Sequence, residues 1–156
     1  MFSGQARIEI YLTFSFTFSI TFTILYEAWS APAWMKDNNQ FNGYTKIKGE
    51  PGDRIHKSWA NHYAKYITEL KKYDVNVWAI TTQNEPSMGL YVKSAWNANG
   101  FTPSHLRGFV EKDLIPAIMK LEDPKPKIFN LDDQRLFMPK LTDYLYESGK
   151  WKFNSS

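Results

Sequence analysis

From Thr13 to Ile24 hydroxyl and apolar side chains alternate strictly, with Phe14, Phe16, Phe18, Ile20, Phe22 and Ile24 on one side and Ser15, Thr17, Ser19, Thr21 and Thr23 on the other. A period of two predicts a strand. Ile10 to Tyr26 carries no charge, and Arg7 precedes it. Three readings are open for this stretch. A secretory segment usually has a shorter, less hydroxyl-rich apolar region. A membrane span needs about 20 apolar residues. The third reading is a low-complexity leader with no native role, which as an exposed strand would be aggregation-prone. The expected division is therefore a leader over residues 1–25 and a catalytic-domain fragment over 26–156.

From Tyr26 onward the pattern is that of a globular chain. Ile24 to Trp29 can end a strand. Lys36 to Asp53, with Asn38-Asn39, Asn42-Gly43 and Pro51-Gly52, reads as a long loop. Ile55, Trp59, Tyr63, Tyr66, Ile67 and Leu70 recur at helical spacing, with Asp53 as N-cap and Lys71-Lys72 suited to the negative end of the helix dipole. Val75 to Ile80 reads as a buried strand and Ser87 to Gly100 as a second loop. Thr102-Pro103 opens a helix whose buried face is Leu106, Phe109, Val110, Leu114, Ala117, Ile118 and Leu121, and Pro116 should bend it. Lys127 to Leu131 is a third strand, and Leu136 to Tyr146 a helix. Strand alternating with helix predicts parallel α/β architecture. The loops after the strands are rich in polar and aromatic residues, as expected if one rim of the sheet carries the chemistry.

At 156 residues there is room for one domain. Nineteen basic against 16 acidic residues leave a net charge of +3, with no basic stripe, so no nucleic-acid partner is expected. The chain has no cysteine, which excludes thiol catalysis and cysteine metal sites. His56, His62 and His105 lack ligand spacing, and no Gly-rich phosphate loop or Gly-x-Ser-x-Gly elbow occurs, so neither a metal nor a cofactor is expected. Aromatics make up 17% of the chain, a resource for cores and for stacking on sugar rings.

The candidate chemistry centres on Asn84-Glu85-Pro86. A carboxylate at the end of a strand, followed by a proline that stops it, is where a β/α barrel keeps its acid/base group. Glycoside hydrolysis needs two carboxyl groups flanking the scissile bond. Glu85 follows an apolar strand, so partial desolvation would raise its pKa toward a useful range. The bland alternative is a surface cap or salt-bridge partner. Asn84 can bond a sugar hydroxyl, commonly the 2-hydroxyl. Trp29 and Trp34 straddle Pro32. Either indole can stack on a pyranose, and Trp34 reads rather as core. Tyr91 and Trp96 line a pocket mouth or simply cover a loop. Asp132, Asp133 and Arg135 either tether one another or cap the next helix.

Trp29-Ser30-Ala31-Pro32-Ala33-Trp34-Met35-Lys36, Lys48-Gly49-Glu50-Pro51-Gly52, Trp78-Ala79-Ile80-Thr81-Thr82-Gln83-Asn84-Glu85-Pro86-Ser87, Gly100-Phe101-Thr102-Pro103 and Leu131-Asp132-Asp133-Gln134-Arg135 occur in this order. In these motifs, from about Ala28 to about Lys150, the chain resembles the lysosomal glucosylceramidase (acid β-glucosidase) family. Residues 1–25 lie outside the resemblance. It implies a partial TIM (β/α)8 barrel of about three βα units, the third to fifth. It implies a retaining β-glucosidase that cleaves glucosylceramide to glucose and ceramide in sphingolipid catabolism. Glu85 matches the acid/base, Asn84 the sugar-contacting asparagine, Trp29 the tryptophan of the glucose pocket and Trp96 an aromatic near the lipid portal. The resemblance also implies a lysosomal or secretory location, an activator protein and an anionic lipid surface as partners.

The family's nucleophile is a second glutamate near the end of a later strand, and Glu111, Glu122 and Glu147 lack that context. The chain alone is therefore expected to be inactive. It is also expected to be unstable or aggregating, with apolar surface exposed around Val75, Val77, Trp78, Ile128 and Phe129. The alternatives are another retaining β-glycosidase of this barrel type acting on a polysaccharide, or a non-catalytic fragment with a membrane-associated N-terminus. Asn154-Ser155-Ser156 also forms a glycosylation sequon.

Overall fold

A computed structural model describes residues 6–14, 20–130, 132–137, 139 and 142–143. These form one four-stranded sheet in the order β1-β2-β3-β4. Strand β1 (Ala6–Phe14) pairs antiparallel with β2 (Ile20–Ala28), setting Arg7 opposite Glu27 in the ladder. β2 then pairs parallel with β3 (Val77–Thr81), and β3 with β4 (Lys127–Phe129). The hydroxyl–apolar alternation does lead into a strand, and β2 runs unbroken from Ile20 into Ala28, through position 25. Among the described residues no helix is long and apolar enough to cross a membrane.

Each parallel step is bridged by a helix, as a crossover requires. Helix α1 (Arg54–Lys71) starts where Asp53 accepts the N–H groups of Ile55 and His56, both at 2.9 Å, and ends with Lys71 in its last turn. It buries His56, Trp59, Ala60, Tyr63 and Ile67. Tyr26 of β2 meets Tyr63 edge-on at 5.5 Å and stacks on Tyr66 at 4.6 Å. The register partners Tyr26, Ile80 and Ile128 all face this helix layer.

The second crossover starts at α3 (Pro103–Phe109), with Thr102 capping the N–H of His105. The bend expected at Pro116 takes a specific form. A π-helical turn, Val110–Leu114, separates α3 from α4 (Ile115–Ile118). The widened turn precedes the proline and relieves the clash of its ring with the carbonyl four residues back. Within the loop expected over Ser87–Gly100, residues Met88–Tyr91 form a short helix, α2. The strand expected to reach Leu131 pairs only to Phe129, and Leu131 lies outside the described residues, as does most of the helix expected over 136–146.

The expected apolar exposure is corrected at one position. Val77 is buried beneath the helix layer, whereas Trp78 and Phe129 are 43% and 39% exposed, edge-on to each other at 5.5 Å. Ile128 is half-buried against the core.

The loops after β2 and β3 are joined backbone to backbone. Thr45 donates to the carbonyl of Gly89 at 2.8 Å, and Gly100 donates to that of Thr45 at 2.8 Å. A Cβ on Gly89 would lie 2.3 Å from the Gly100 nitrogen, a distance no relaxation of a side chain can relieve. Beside this seam Lys36 is fully buried, and its Nζ donates to Ser30 Oγ at 2.9 Å, Phe41 O at 2.6 Å and Ala98 O at 2.8 Å. Burial lowers its pKa to about 8.

Two outcomes follow from this packing. Gly89→Ala should lower stability by roughly 2 kcal/mol or more, read as a fall in the urea midpoint, because the two backbones must separate. Sedimentation velocity should show the chain self-associating with concentration, and Trp78→Lys should reduce that association. A sharp monomer at all concentrations would contradict the exposed apolar pair as its cause.

Candidate active site

Because β2, β3 and β4 run parallel, their C-terminal ends lie along one rim. Trp29 follows β2, Asn84 and Glu85 follow β3, and Asp132 follows β4. The rim continues the sheet's pairing beyond the strands. Thr82 N–H donates to Phe129 O at 2.9 Å and Asn84 N–H to Ala28 O at 3.1 Å. Gln83, wholly buried, donates from Nε2 to the carbonyls of Ala28 and Trp29, both at 3.0 Å, and accepts from Asn99 Nδ2 at 3.1 Å. One side-chain amide thereby fixes the backbone of Trp29 relative to that of Asn84.

Glu85 has φ +37°, in the left-handed region that a non-glycine residue enters only when its surroundings enforce it. They do so here from both sides of the peptide. Its N–H donates to Asp132 O at 2.7 Å, and its carbonyl accepts from Met88 N–H at 2.9 Å. Its carboxylate accepts from Gln134 Nε2. Asp133 in turn accepts from Ser87 N–H at 2.8 Å and Ser87 Oγ at 2.7 Å. Asp133 therefore ties the loop after β4 to the loop after β3, where the sequence suggested a tether within its own loop or a helix cap.

The cleft at this rim has a volume of about 340 Å³, and Glu27, Thr81, Asn84, Glu85, Asp132 and Arg135 are among its lining residues. Its acidity has an electrostatic consequence. Burial, then the hydrogen bond and charge of neighbouring Glu27, then the charge of Glu85, push Asp132 up to about 7. Glu27 also accepts the indole N–H of Trp29 at 2.9 Å.

Of the residues singled out from sequence, Glu85 and Asn84 line the cleft together. Trp29 stands beside it through Glu27. Trp96 lies in the loop after α2, 47% exposed, with its N–H on Ser94 Oγ, and is not among the lining residues. Trp34 is corrected from core to surface, at 60% exposure. Glu111 pairs with Arg107 and Glu122 with Lys71, both away from the cleft, and Glu147 lies outside the described residues. Sequence reasoning did not single out Glu27, Gln83 or Gln134. The available signal for Glu27 was its place two residues before Trp29, on the same side of an extended chain.

Residues 5–150 match the family model described as the glycosyl hydrolase family 30 TIM-barrel domain, so the match begins upstream of the motifs. The chain is 41% identical to mouse (Mus musculus) lysosomal acid glucosylceramidase over 112 residues, which is 72% of this chain and 22% of that protein. It is 36% identical to putative glucosylceramidase 2 of Caenorhabditis elegans over 116 residues, 74% of this chain and 22% of the relative. Among solved structures, SrfJ from Salmonella typhimurium superposes with a TM-score of 0.67 at 25% identity, covering 78% of this chain and 25% of that one. The chain thus spans about a fifth of the length of the curated relatives it matches.

The raised Asp132 makes a pH prediction. A carboxyl whose folded pKa lies near 7, against an ordinary 3.8, binds more protons folded than unfolded between those values. Its contribution to stability is present in acid and is lost as pH rises through about 7. Urea midpoints should therefore be higher at acid than at mildly alkaline pH, and Asp132→Asn should flatten that dependence.

Proposed function

The chain belongs to glycosyl hydrolase family 30, and we propose that it carries the acid/base half of a retaining β-glucosidase site that acts on glucosylceramide. The observation that carries this reading is the enforced backbone of Glu85, which sets a carboxylate beside Asn84 at the mouth of an acidic cleft. Strain of this kind, held by a bond to the loop after β4 and one from the start of α2, favours a positioned functional group over a surface cap.

In this reading Glu85 protonates the glycosidic oxygen as the aglycone leaves and then, as a base, activates the water that releases glucose. Gln134 donates to Glu85 and holds the carboxyl in place through both steps. Asn84 bonds the sugar 2-hydroxyl, where contacts strengthen in the transition state. Trp29 offers its indole face to the pyranose. The exposed aromatics Trp34, Tyr91 and Trp96 support an apolar aglycone such as ceramide. The nucleophile is assigned to none of this chain's carboxylates. Glu27 and Asp132 are engaged with each other, and Glu111 and Glu122 pair elsewhere. A lysosomal or secretory setting, an activator protein and an anionic lipid surface belong to the same proposal.

Octyl β-glucoside below its micellar concentration should quench Trp29 fluorescence, and Asn84→Ala should weaken binding about fivefold, the equivalent of one neutral hydrogen bond. Release of 4-methylumbelliferone from its β-glucoside should stay at background. Turnover abolished by Glu85→Gln would instead place the nucleophile within these 156 residues. An Asn84→Ala chain that binds as tightly as the original would remove the sugar-contact role.

A further inference from the structure

We propose that Glu27 is a positioning residue for Trp29, and that a proton held between Glu27 and Asp132 keeps it in that role, making the indole's orientation sensitive to pH. This rests on the sugar-pocket reading only for its purpose. The device itself rests on geometry.

Glu27 Oε2 accepts the Trp29 indole N–H at 2.9 Å. An indole has one donor and no acceptor, so this bond selects one ring orientation over its flip. The backbone of Trp29 is independently fixed, because its carbonyl accepts from Gln83 at 3.0 Å. With one end of the residue held by Gln83 and the ring held by Glu27, the free torsions between them have little range.

Glu27 and Asp132 line the same cleft, and Glu27 is the hydrogen-bonding neighbour that raises Asp132. Two carboxyl groups in contact repel unless a proton lies between them. Asp132 Oδ2 is buried without a hydrogen-bond partner among the described residues, and the Thr81 hydroxyl, which favours the ionised form, is outweighed by burial and Glu27. A proton on Asp132, donated to Glu27, satisfies the pair and leaves Glu27 Oε2 for the indole. Burial and Glu27 place that protonation near neutrality.

The charged and titratable groups around the pair come from every adjoining element. Glu85 after β3 and Asp133 after β4 add negative charge, and Arg135 lines the same cleft. Arg7 of β1 stands opposite Glu27 in the ladder, and Tyr63 of α1 lies within electrostatic reach of both carboxyls. Above neutrality, ionised Asp132 repels Glu27, and the indole bond weakens. In acid the pair closes and Trp29 is held.

Ultraviolet resonance Raman spectroscopy reads the indole N–H bond directly and tolerates self-association. Subtracting the spectrum of Trp29→Phe isolates Trp29. The expected result is a strongly bonded indole band at pH 5 that shifts toward the free position as pH rises past neutrality. In Glu27→Leu the band should sit at the free position at every pH. Asp132→Asn, which donates to Glu27 whatever the pH, should hold the bonded position throughout. An indole band unmoved by Glu27→Leu overturns the proposal. If Glu27→Leu does not fold, as judged by circular dichroism, Glu27→Gln decides. It keeps an acceptor but loses the charge, and its band should not titrate, whereas titration equal to that of the unmodified chain overturns the proposal. A Glu27-dependent band in a chain that binds no octyl β-glucoside upholds the positioning and refutes the sugar pocket. Binding with a Glu27-independent band does the reverse.

Discussion

The rim of this sheet is set by one buried amide, that of Gln83. Parallel strands end where their ladders end, and beyond that point backbone groups need new partners or water. Gln83 supplies them for two consecutive residues of the neighbouring strand's continuation, Ala28 and Trp29, and is itself held by Asn99 from the far end of the following loop. The next residue, Asn84, bonds Ala28 through its own backbone. Trp29 follows one strand and Asn84 and Glu85 another, yet they are brought into a common frame by backbone bonds and the Gln83 amide, which involve none of their side chains. Their side chains are left to other partners, the indole N–H to Glu27 and the Glu85 carboxylate to Gln134.

The same frame explains why Glu85 can sit at positive φ. Its N–H is bonded from the loop after β4 and its carbonyl from the start of α2. Asp133 reinforces the first of these by capturing Ser87. A single loop could not enforce this conformation, because its own torsions would relax the strain. Three loops from adjoining units, tied at Gln83, Asp133 and the Thr45–Gly89–Gly100 seam, can do so. This is the physical sense in which function at a barrel's rim depends on neighbouring βα units.

Much of this was legible in the chain. Helical spacing and Asp53 gave α1 to within a residue, and Thr102-Pro103 gave the start of α3. Both depend on local chemistry, namely a cap and a periodic apolar face. The π-helical turn was not legible, because a proline demands relief without specifying its form. Trp34 was misread as core because an indole beside a proline looks the same in sequence whether a helix covers it or not, and none does here. Glu85 and Asn84 could be read from their position after an apolar strand. Glu27 could be placed beside Trp29 by its spacing of two in an extended chain, but its pairing with an acidic neighbour could not be read. Its partner Asp132 lies more than a hundred residues away in sequence, and only the parallel register of β2, β3 and β4 brings the two together.

The carboxyl groups of the cleft then divide by environment rather than by residue type. Glu85 stands at the rim with an amide donor on its carboxylate. Asp132 lies deeper and resists ionisation because burial and Glu27 both oppose its charge. Like charges crowded at one rim cannot all ionise, so the proton settles on the group with the least solvent. Leaving that proton on Asp132 lowers the negative charge gathered in the cleft. The pairing of Glu27 with Asp132 in this sense sets the charge of the cleft, and the proposed support of Trp29 follows from the same proton.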